Sequence, residues 1–231
     1  MKIGVIGGNG VAATNRLCDM VERKVTSAGA FRDAHHPEMI VWQATSVPSR
    51  SMFLEGRGPD WRPDYIRIAK SLKALGCEVA CMCCNTAHYA IDDVTAESGL
   101  EFINLLEEVA ISAKAKGLSK VVMFCSDGAR KFDIYGKVFK RICPEVELCY
   151  PSESGQAEVT RIICAVKTAV RFSQDPANML VSLAQKEAVP VILGCTDLRV
   201  AFPPDVPLSG NIALDSLECL ADAIVSKHTW E

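Results

Sequence analysis

The sequence predicts an α/β protein built from two pseudo-symmetric parallel-sheet domains that face each other. Three observations carry that expectation. Short apolar strands alternate with amphipathic stretches, the pattern of a parallel sheet with crossover helices. The alternation runs through the chain twice. Each round also contains a strand that ends in a cysteine before small polar residues, Cys84 in CMCCNTAHYA and Cys195 in GCTDL. Superposing these two cysteines places Ser71-Leu72 on Ser182-Leu183, thirteen residues upstream in both halves.

The elements follow in order. KIGVIGG is a continuous apolar strand running into glycines, and Val11 to Ala28 is amphipathic with helical spacing. Pro37 precedes a β-rich run from Met39 to Ser46, which ends at Pro48 and Ser49. EGRGPDWRP reads as an ordered surface loop. Ile68, Leu72 and Leu75 recur at helical spacing in a helix from Asp64 to Leu75, closed by Gly76. A strand from Glu78 to Cys83 enters CNTAH. A short strand from Leu100 to Leu105 then leads into a helix to about Lys116. The second round opens with SKVVMFCSDGAR, a strand into a Gly-containing turn. A helix over Asn178 to Glu187 leads into VPVILGCTDL. VPLSG is read as a last strand, before a helix from Ala213 to Lys227. The expected domains are 1–105 with 210–231, and 106–209.

Composition narrows the function. The 231 residues are 49% hydrophobic and 23% charged, ordinary for a globular protein. A net charge of −3 supplies no basic stripe for phosphates, which argues against a nucleic-acid partner. No apolar run approaches the roughly 20 residues of a membrane span. MKIGVIGG is too short in its apolar part for a signal peptide, so eleven cysteines, an odd number, point to reduced thiols in a cytoplasmic protein.

The cluster at 81–84 admits four readings. A structural zinc site needs two further ligands, usually a second close pair, and Cys143 and Cys149 are wrongly spaced for that. A thioredoxin-like redox pair begins a helix, whereas this one lies in a strand. Packing suits Cys77, Cys81 and Cys83, because buried cysteine behaves as a small hydrophobe. Cys84 differs, since it stands at the strand exit where a thiol can face a cleft. Ligands of such sheets bind beyond the carboxyl ends of the strands, where Cys84 and Cys195 both fall. Two thiols from two facing halves suit racemisation or epimerisation, in which one takes the α-proton from one face and the other returns a proton to the opposite face. No metal or cofactor is expected, but donors and cations must stabilise charge developing on the carboxylate.

Gly8-x-Gly10-x-x-Ala13 also matches the dinucleotide fingerprint, which requires an acidic residue at the end of the second strand. The run ends in Ala-Thr-Ser instead, so the turn is read as presenting backbone N–H groups to a carboxylate.

The GG-x-G-x-x-A-T start, CNTAH and GCTDL together resemble the cofactor-independent aspartate/glutamate racemase family over the whole chain. The resemblance implies a two-domain α/β enzyme with the active site in the cleft between the pseudo-symmetric halves, commonly a homodimer, with Cys84 and Cys195 catalytic. It also implies carboxylate-binding cations at Arg50 and Lys167, which suits a dicarboxylic amino acid, aspartate before glutamate. Asn85, Thr86, Ser126 and Thr196 are expected to offer donors to the substrate. Asn9, His88 and Asp197 are accessory candidates. Two departures bear on the substrate: GGNGV stands where relatives commonly have GGMGP, and Ser126-Asp127-Gly128-Ala129 stands where T-x-G-T is frequent. The alternatives are another isomerase of the superfamily, or a non-catalytic dicarboxylate-binding or thiol-sensing protein.

Overall fold

A computed structural model of the chain describes residues 1–168, 175–204 and 206–228. The first half runs β1 (Lys2–Gly7), α1 (Val11–Ser27), β2 (Glu38–Gln43), α2 (Arg50–Leu54), α3 (Arg62–Ala74) and β3 (Val79–Met82). A 3-10 helix over Asn85–Ala90 leads into α4 (Ile91–Ser98), β4 (Glu101–Ile103) and α5 (Leu105–Ala115). The second half runs β5 (Lys120–Phe124), α6 (Asp127–Lys131), α7 (Ile134–Ile142), β6 (Glu147–Cys149) and α8 (Glu153–Thr168). It continues with α9 (Pro176–Ala184), β7 (Val191–Leu193), α10 (Thr196–Val200), β8 (Ile212–Asp215) and α11 (Ser216–Lys227).

The strands form two four-stranded parallel sheets, in the orders β2-β1-β3-β4 and β6-β5-β7-β8. The same order therefore occurs twice. In each sheet the chain leaves the first strand toward one edge and returns to pair on its other side. That reversal opens a crevice at the carboxyl ends of the two central strands, where such folds bind ligands. The glycine turn after β1 and Cys84 after β3 flank one crevice; Ser126 after β5 and Cys195 after β7 flank the other.

Alternation along β3 sets the fate of its cysteines. Cys81 and Cys83 face a core shared with α1, α5, α7 and α11, while Ala80 and Met82 face the opposite side, under α3 and α4. The second sheet repeats this plan, with Val122, Phe124, Val191 and Leu193 facing α8 and α9. The shared core joins Ile3 and Val5 of the first sheet to Val121 and Met123 of the second.

Some boundaries differ from the expected ones. The last strand is Ile212–Asp215 rather than VPLSG, and α11 begins at Ser216, with the Asp215 side chain capping it by accepting from Glu218 N. Ile212 packs on the α9 side of the second sheet and Leu214 in the shared core, across a register shift in the ladder, whereas VPLSG ends in Gly210, whose left-handed φ of +68° turns the chain before the strand. Residues 212–215 pair with β7 in the second sheet, while α11 packs on α1 and α5 of the first half. The terminal segment expected in the first half is thus shared by both. The helix expected over Asn178 to Glu187 starts at Pro176, after the Asp175 cap. EGRGPDWRP is not wholly a surface loop, since Trp61 is fully buried against Tyr65 and stands at the N-cap of α3, whose first two residues are Arg62 and Pro63.

Candidate active site

Cys84 and Cys195 occupy equivalent places, each two residues beyond its strand and each the extended N-cap of a following helical turn. Their backbone angles are φ −159°, ψ 113° and φ −141°, ψ 126°. Both are half-buried, while Cys81 and Cys83 are fully buried. Burial pushes the Cys81 thiol up to about 12 and holds the Cys83 thiol well above its ordinary value, so neither forms a thiolate near neutral pH. The packing reading therefore holds for these two as a matter of burial. Among the described residues no three His, Cys, Asp or Glu side chains gather as a metal site.

The two thiols sit in different electrostatic settings. Arg50, the first residue of α2, is buried and donates from Nη1 to the Pro48 carbonyl at 2.8 Å, and its Nε has no partner. Burial works against its charge, but Cys84, Tyr65 and Asp197 outweigh that cost and hold it cationic. Beside the other thiol, Asp197 is 3% exposed and lies with Oδ2 3.9 Å from Cys195 Sγ and 3.0 Å from Lys167 Nζ. Burial pushes the Cys195 thiol up and the Asp197 carboxylate adds to the rise, with Lys167 opposing it. Burial also raises Asp197 itself, against the pull of Lys167 and Arg50. Lys167 is raised: burial disfavours its charge, but Asp197 and the two cysteines more than compensate. Arg50, Lys167, Asp197, Cys84 and Cys195 thus share one electrostatic neighbourhood.

The remaining candidates divide into those turned to the cleft and those spent on scaffolding. Asn85 is spent. Its Nδ2 donates to the Tyr135 hydroxyl, and its Oδ1 accepts from Thr196 N at 3.0 Å and from Ser216 Oγ at 3.4 Å. The side chain expected to meet a substrate instead clasps the two halves, and it takes up the Thr196 amide as well. Thr86 Oγ1 and Ser126 Oγ lie 3.0 Å apart across the halves, and Ser126 also caps α6 by accepting from Ala129 N. Asn9 is buried and donates from Nδ2 to the Tyr65 hydroxyl, which fixes the turn rather than presenting the amide.

His88 does not reach the thiol. Leu105 N donates to its Nε2 at 3.1 Å, so the proton sits on Nδ1, which donates to the Cys84 carbonyl at 3.0 Å. Burial lowers its pKa to about 4, leaving a neutral ring that ties the Cys84 backbone to the start of α5. Asp127, part of the turn that departs from the frequent T-x-G-T, turns to α8 and accepts from Gln156 Nε2 and Thr160 Oγ1, both at 2.9 Å.

The glycine turn does not fit a dinucleotide. Gly8 and Gly10 have φ of +80° and +128°, and Thr14 Oγ1 accepts from Gly8 N and donates to Gly10 O. A Cβ on Gly10 would lie 2.4 Å from Asp197 Oδ1, so a carboxylate already occupies the place where a pyrophosphate would approach. Tyr65, Tyr135 and Ser216 carry no signal in the sequence. Each is an ordinary apolar-face or cap residue in its own helix, and its role exists only through a partner far along the chain.

Comparison with known proteins agrees with this geometry. The model of the Asp/Glu/Hydantoin racemase family matches residues 3–224. The broad specificity amino-acid racemase RacX of Bacillus subtilis is 25% identical over 235 residues, covering 98% of this chain and 97% of its own. The aspartate racemase of Picrophilus torridus superposes with a TM-score of 0.79 at 22% identity, over 98% of this chain and 94% of that one. An aspartate racemase homologue from Pyrococcus horikoshii gives a TM-score of 0.74 at 24% identity, over 98% of both chains. At those identities the solved structures speak for the fold, and the family match speaks for kinship. The chain belongs to the Asp/Glu/Hydantoin racemase family.

Proposed function

We propose that the chain is a cofactor-independent amino-acid racemase in which Cys84 and Cys195 serve opposite faces of the α-carbon. The observation that carries this reading is the placement of two half-buried thiols at equivalent strand exits of two like units, within one charged neighbourhood. In one direction the Cys84 thiolate takes the α-proton, so the C–H bond breaks as an S–H bond forms. The Cys195 thiol gives its proton to the other face and is left as the thiolate. The reverse direction exchanges the roles. Arg50 stabilises charge that develops on the α-carboxylate, the largest barrier to removing so weak an acid's proton. Beside Cys195, burial and the Asp197 carboxylate favour the protonated thiol that gives the proton in this direction. Thr86 and Ser126 supply hydroxyls at the cleft, and Thr196 contributes through its backbone to the clasp that holds both stations.

The substrate has two readings. Two cations, Arg50 and Lys167, favour aspartate, with glutamate second. The ion pair between Lys167 and Asp197 already engages the second cation, and the broad specificity of the Bacillus subtilis relative supports a range of amino acids beyond the acidic pair. A homodimer in the cytoplasm belongs to the same proposal.

Incubation of the purified protein with L-aspartate and with L-asparagine in deuterated water tests the reaction. α-Deuterium is expected to accumulate in both enantiomers of at least one of them, and Cys84→Ser and Cys195→Ser should each stop it. Failure to exchange the α-proton of any amino acid would sink the racemase reading and favour a binding or thiol-sensing role.

A further inference from the structure

The proton transfers leave one buried polar pair beside Cys84 without a task. Asn9 and Tyr65 are both buried, Tyr65 completely, and Asn9 Nδ2 donates to the Tyr65 hydroxyl. The same Nδ2 lies 3.5 Å from the Gly7 carbonyl. Asn9 is also the residue at which GGNGV departs from the common GGMGP. A buried amide is costly without a partner, so an asparagine at this place needs the tyrosine.

The register of the first sheet puts this pair next to the thiol. Ile6 of β1 pairs with Met82 of β3, and Cys83 N donates to the Ile6 carbonyl at 3.0 Å. The turn Gly7-Gly8-Asn9-Gly10 therefore leaves the sheet alongside Cys83 and Cys84. Cys84 also packs against the apolar cluster that contains Tyr65 and Trp61. The backbone of the turn is held by Thr14 Oγ1, at Gly8 and Gly10, and by Ala44 N, which donates to the Gly7 carbonyl at 3.1 Å. Its tip is tied by the Asn9 side chain to α3. Behind that tie, Tyr65 is braced by Trp61, with ring centroids 4.8 Å apart in an edge-to-face contact. Tyr65 and Cys84 are both among the groups that hold Arg50 cationic, so the tie reaches the carboxylate-binding side of the cleft as well. Having no exposed surface, Tyr65 meets no substrate itself and acts through what it touches.

We infer that Tyr65 is a positioning residue for Cys84: through Asn9 it ties the glycine turn to helix α3 and so fixes the wall of the cleft beside that thiol. This inference rests on the racemase reading above and adds to it a residue that touches neither substrate nor sulfur.

The experiment compares the wild type, Tyr65→Phe, Asn9→Ala and the double variant in two measurements. One is kcat/KM for an amino acid that the wild type racemises. The other is the rate at which iodoacetamide modifies Cys84 relative to Cys195, resolved by peptide mass spectrometry. Tyr65→Phe keeps the ring against Trp61 and removes the bond to Asn9. It should lower kcat/KM about tenfold, since a displaced wall misplaces the substrate. It should also raise the Cys84-to-Cys195 modification ratio about threefold or more, as the loosened turn uncovers one thiol and not the other. The double variant should lose no more than the worse single variant, because both substitutions break the same tie. Should Tyr65→Phe fail to fold, Asn9→Ala, which leaves the buried tyrosine in place, gives the same two readings. A merely structural role would loosen both thiols together. A kcat/KM within about twofold of the wild type, additive losses in the double variant, or a modification ratio that stays at its wild-type value overturns the inference. Absence of α-proton exchange by the wild type with every amino acid tried would instead overturn the racemase reading, and the modification ratio would still decide whether Tyr65 holds the turn beside Cys84.

Discussion

Cys84 and Cys195 stand at the same point of two units with one strand order, yet almost everything around them differs. Cys84 is followed by a 3-10 helix, backed by the Arg50 guanidinium, and its carbonyl is pinned by a neutral histidine. Cys195 is followed by an α-helix and flanked by a carboxylate that is itself held by a lysine. Even the residue before each thiol differs. Cys83 fills a core position, whereas a Cβ on Gly194 would lie 2.4 Å from Met123 Sδ and 2.9 Å from the Tyr135 ring. A repeated backbone thus places two thiols at equivalent strand exits, and the side chains around them break the symmetry.

The largest expected effect tests the stations together. Cys84→Ser and Cys195→Ser should each lower racemisation by roughly 10²–10⁴-fold, the usual worth of a positioned acid or base, and full activity in either would remove that station from the reaction. Cys81→Ser should leave turnover largely intact.

The clasp is next. Asn85→Ala leaves the Tyr135 hydroxyl, the Thr196 amide and the Ser216 hydroxyl without their partner. Each orphaned buried group costs about 1–3 kcal/mol, so urea unfolding should show a loss of about 3 kcal/mol or more. Thr196→Ala, at the matching place in the other half, should cost only about 1 kcal/mol, because the bond described for Thr196 runs through its backbone. Equal losses would contradict the assignment of the clasp to Asn85.

His88 gives a pH signature that the second station lacks. Its folded pKa of about 4 lies below the 6.5 of a free histidine, so the unfolded chain binds the extra proton between those values. Its stabilising contribution is complete above pH 6.5 and is lost as pH falls toward 4, in total about 3 kcal/mol. Asp215, raised to about 6 chiefly by burial, acts in the opposite sense over much of the same range. The check is therefore the difference between wild type and His88→Gln in unfolding free energy, which should narrow as pH falls from 6.5 to 4. A constant difference would mean that the ring is not held neutral.

The smallest effect concerns packing at the matched position before each thiol. Gly194→Ala should cost about 1–3 kcal/mol through overpacking against Met123 and Tyr135. Cys83→Ala should cost about 1 kcal/mol from the lost sulfur contacts. Thermal unfolding of the two variants compares them.

Much of this arrangement is legible in the sequence. The twofold alternation and the Ser71-Leu72 and Ser182-Leu183 match reflect helix α3 and helix α9, which precede the two central strands at the same spacing. The period of two in β3 separates Cys81 and Cys83 from Cys84 on residue order alone. What stays hidden is short or distant. Strand β6 has three residues, too few to show a period of two, and α7 has nine, barely more than two helical turns. VPLSG resembles a strand in its apolar content, and only the Gly210 that closes it marks a turn. Asn85 resembles a substrate donor because its partners lie 50, 111 and 131 residues away, and nothing local announces them. The pairing of Lys167 with Asp197 is hidden for the same reason: each residue alone reads as a binding or accessory group, and only the fold brings the opposite charges to 3.0 Å.

The central claim, two thiols acting on two faces, is tested most directly by the isotope pattern at early times in deuterated water. Starting from a single L-amino acid that the protein turns over, D-product isolated in the first few per cent of conversion should carry one α-deuterium, while the recovered L-substrate remains protiated. That pattern follows when one sulfur removes the proton and the other, equilibrated with solvent, supplies the deuteron. Deuterium appearing in recovered L-substrate as fast as in D-product would mean that one group both removes and returns the proton, and would contradict the pairing of Cys84 with Cys195.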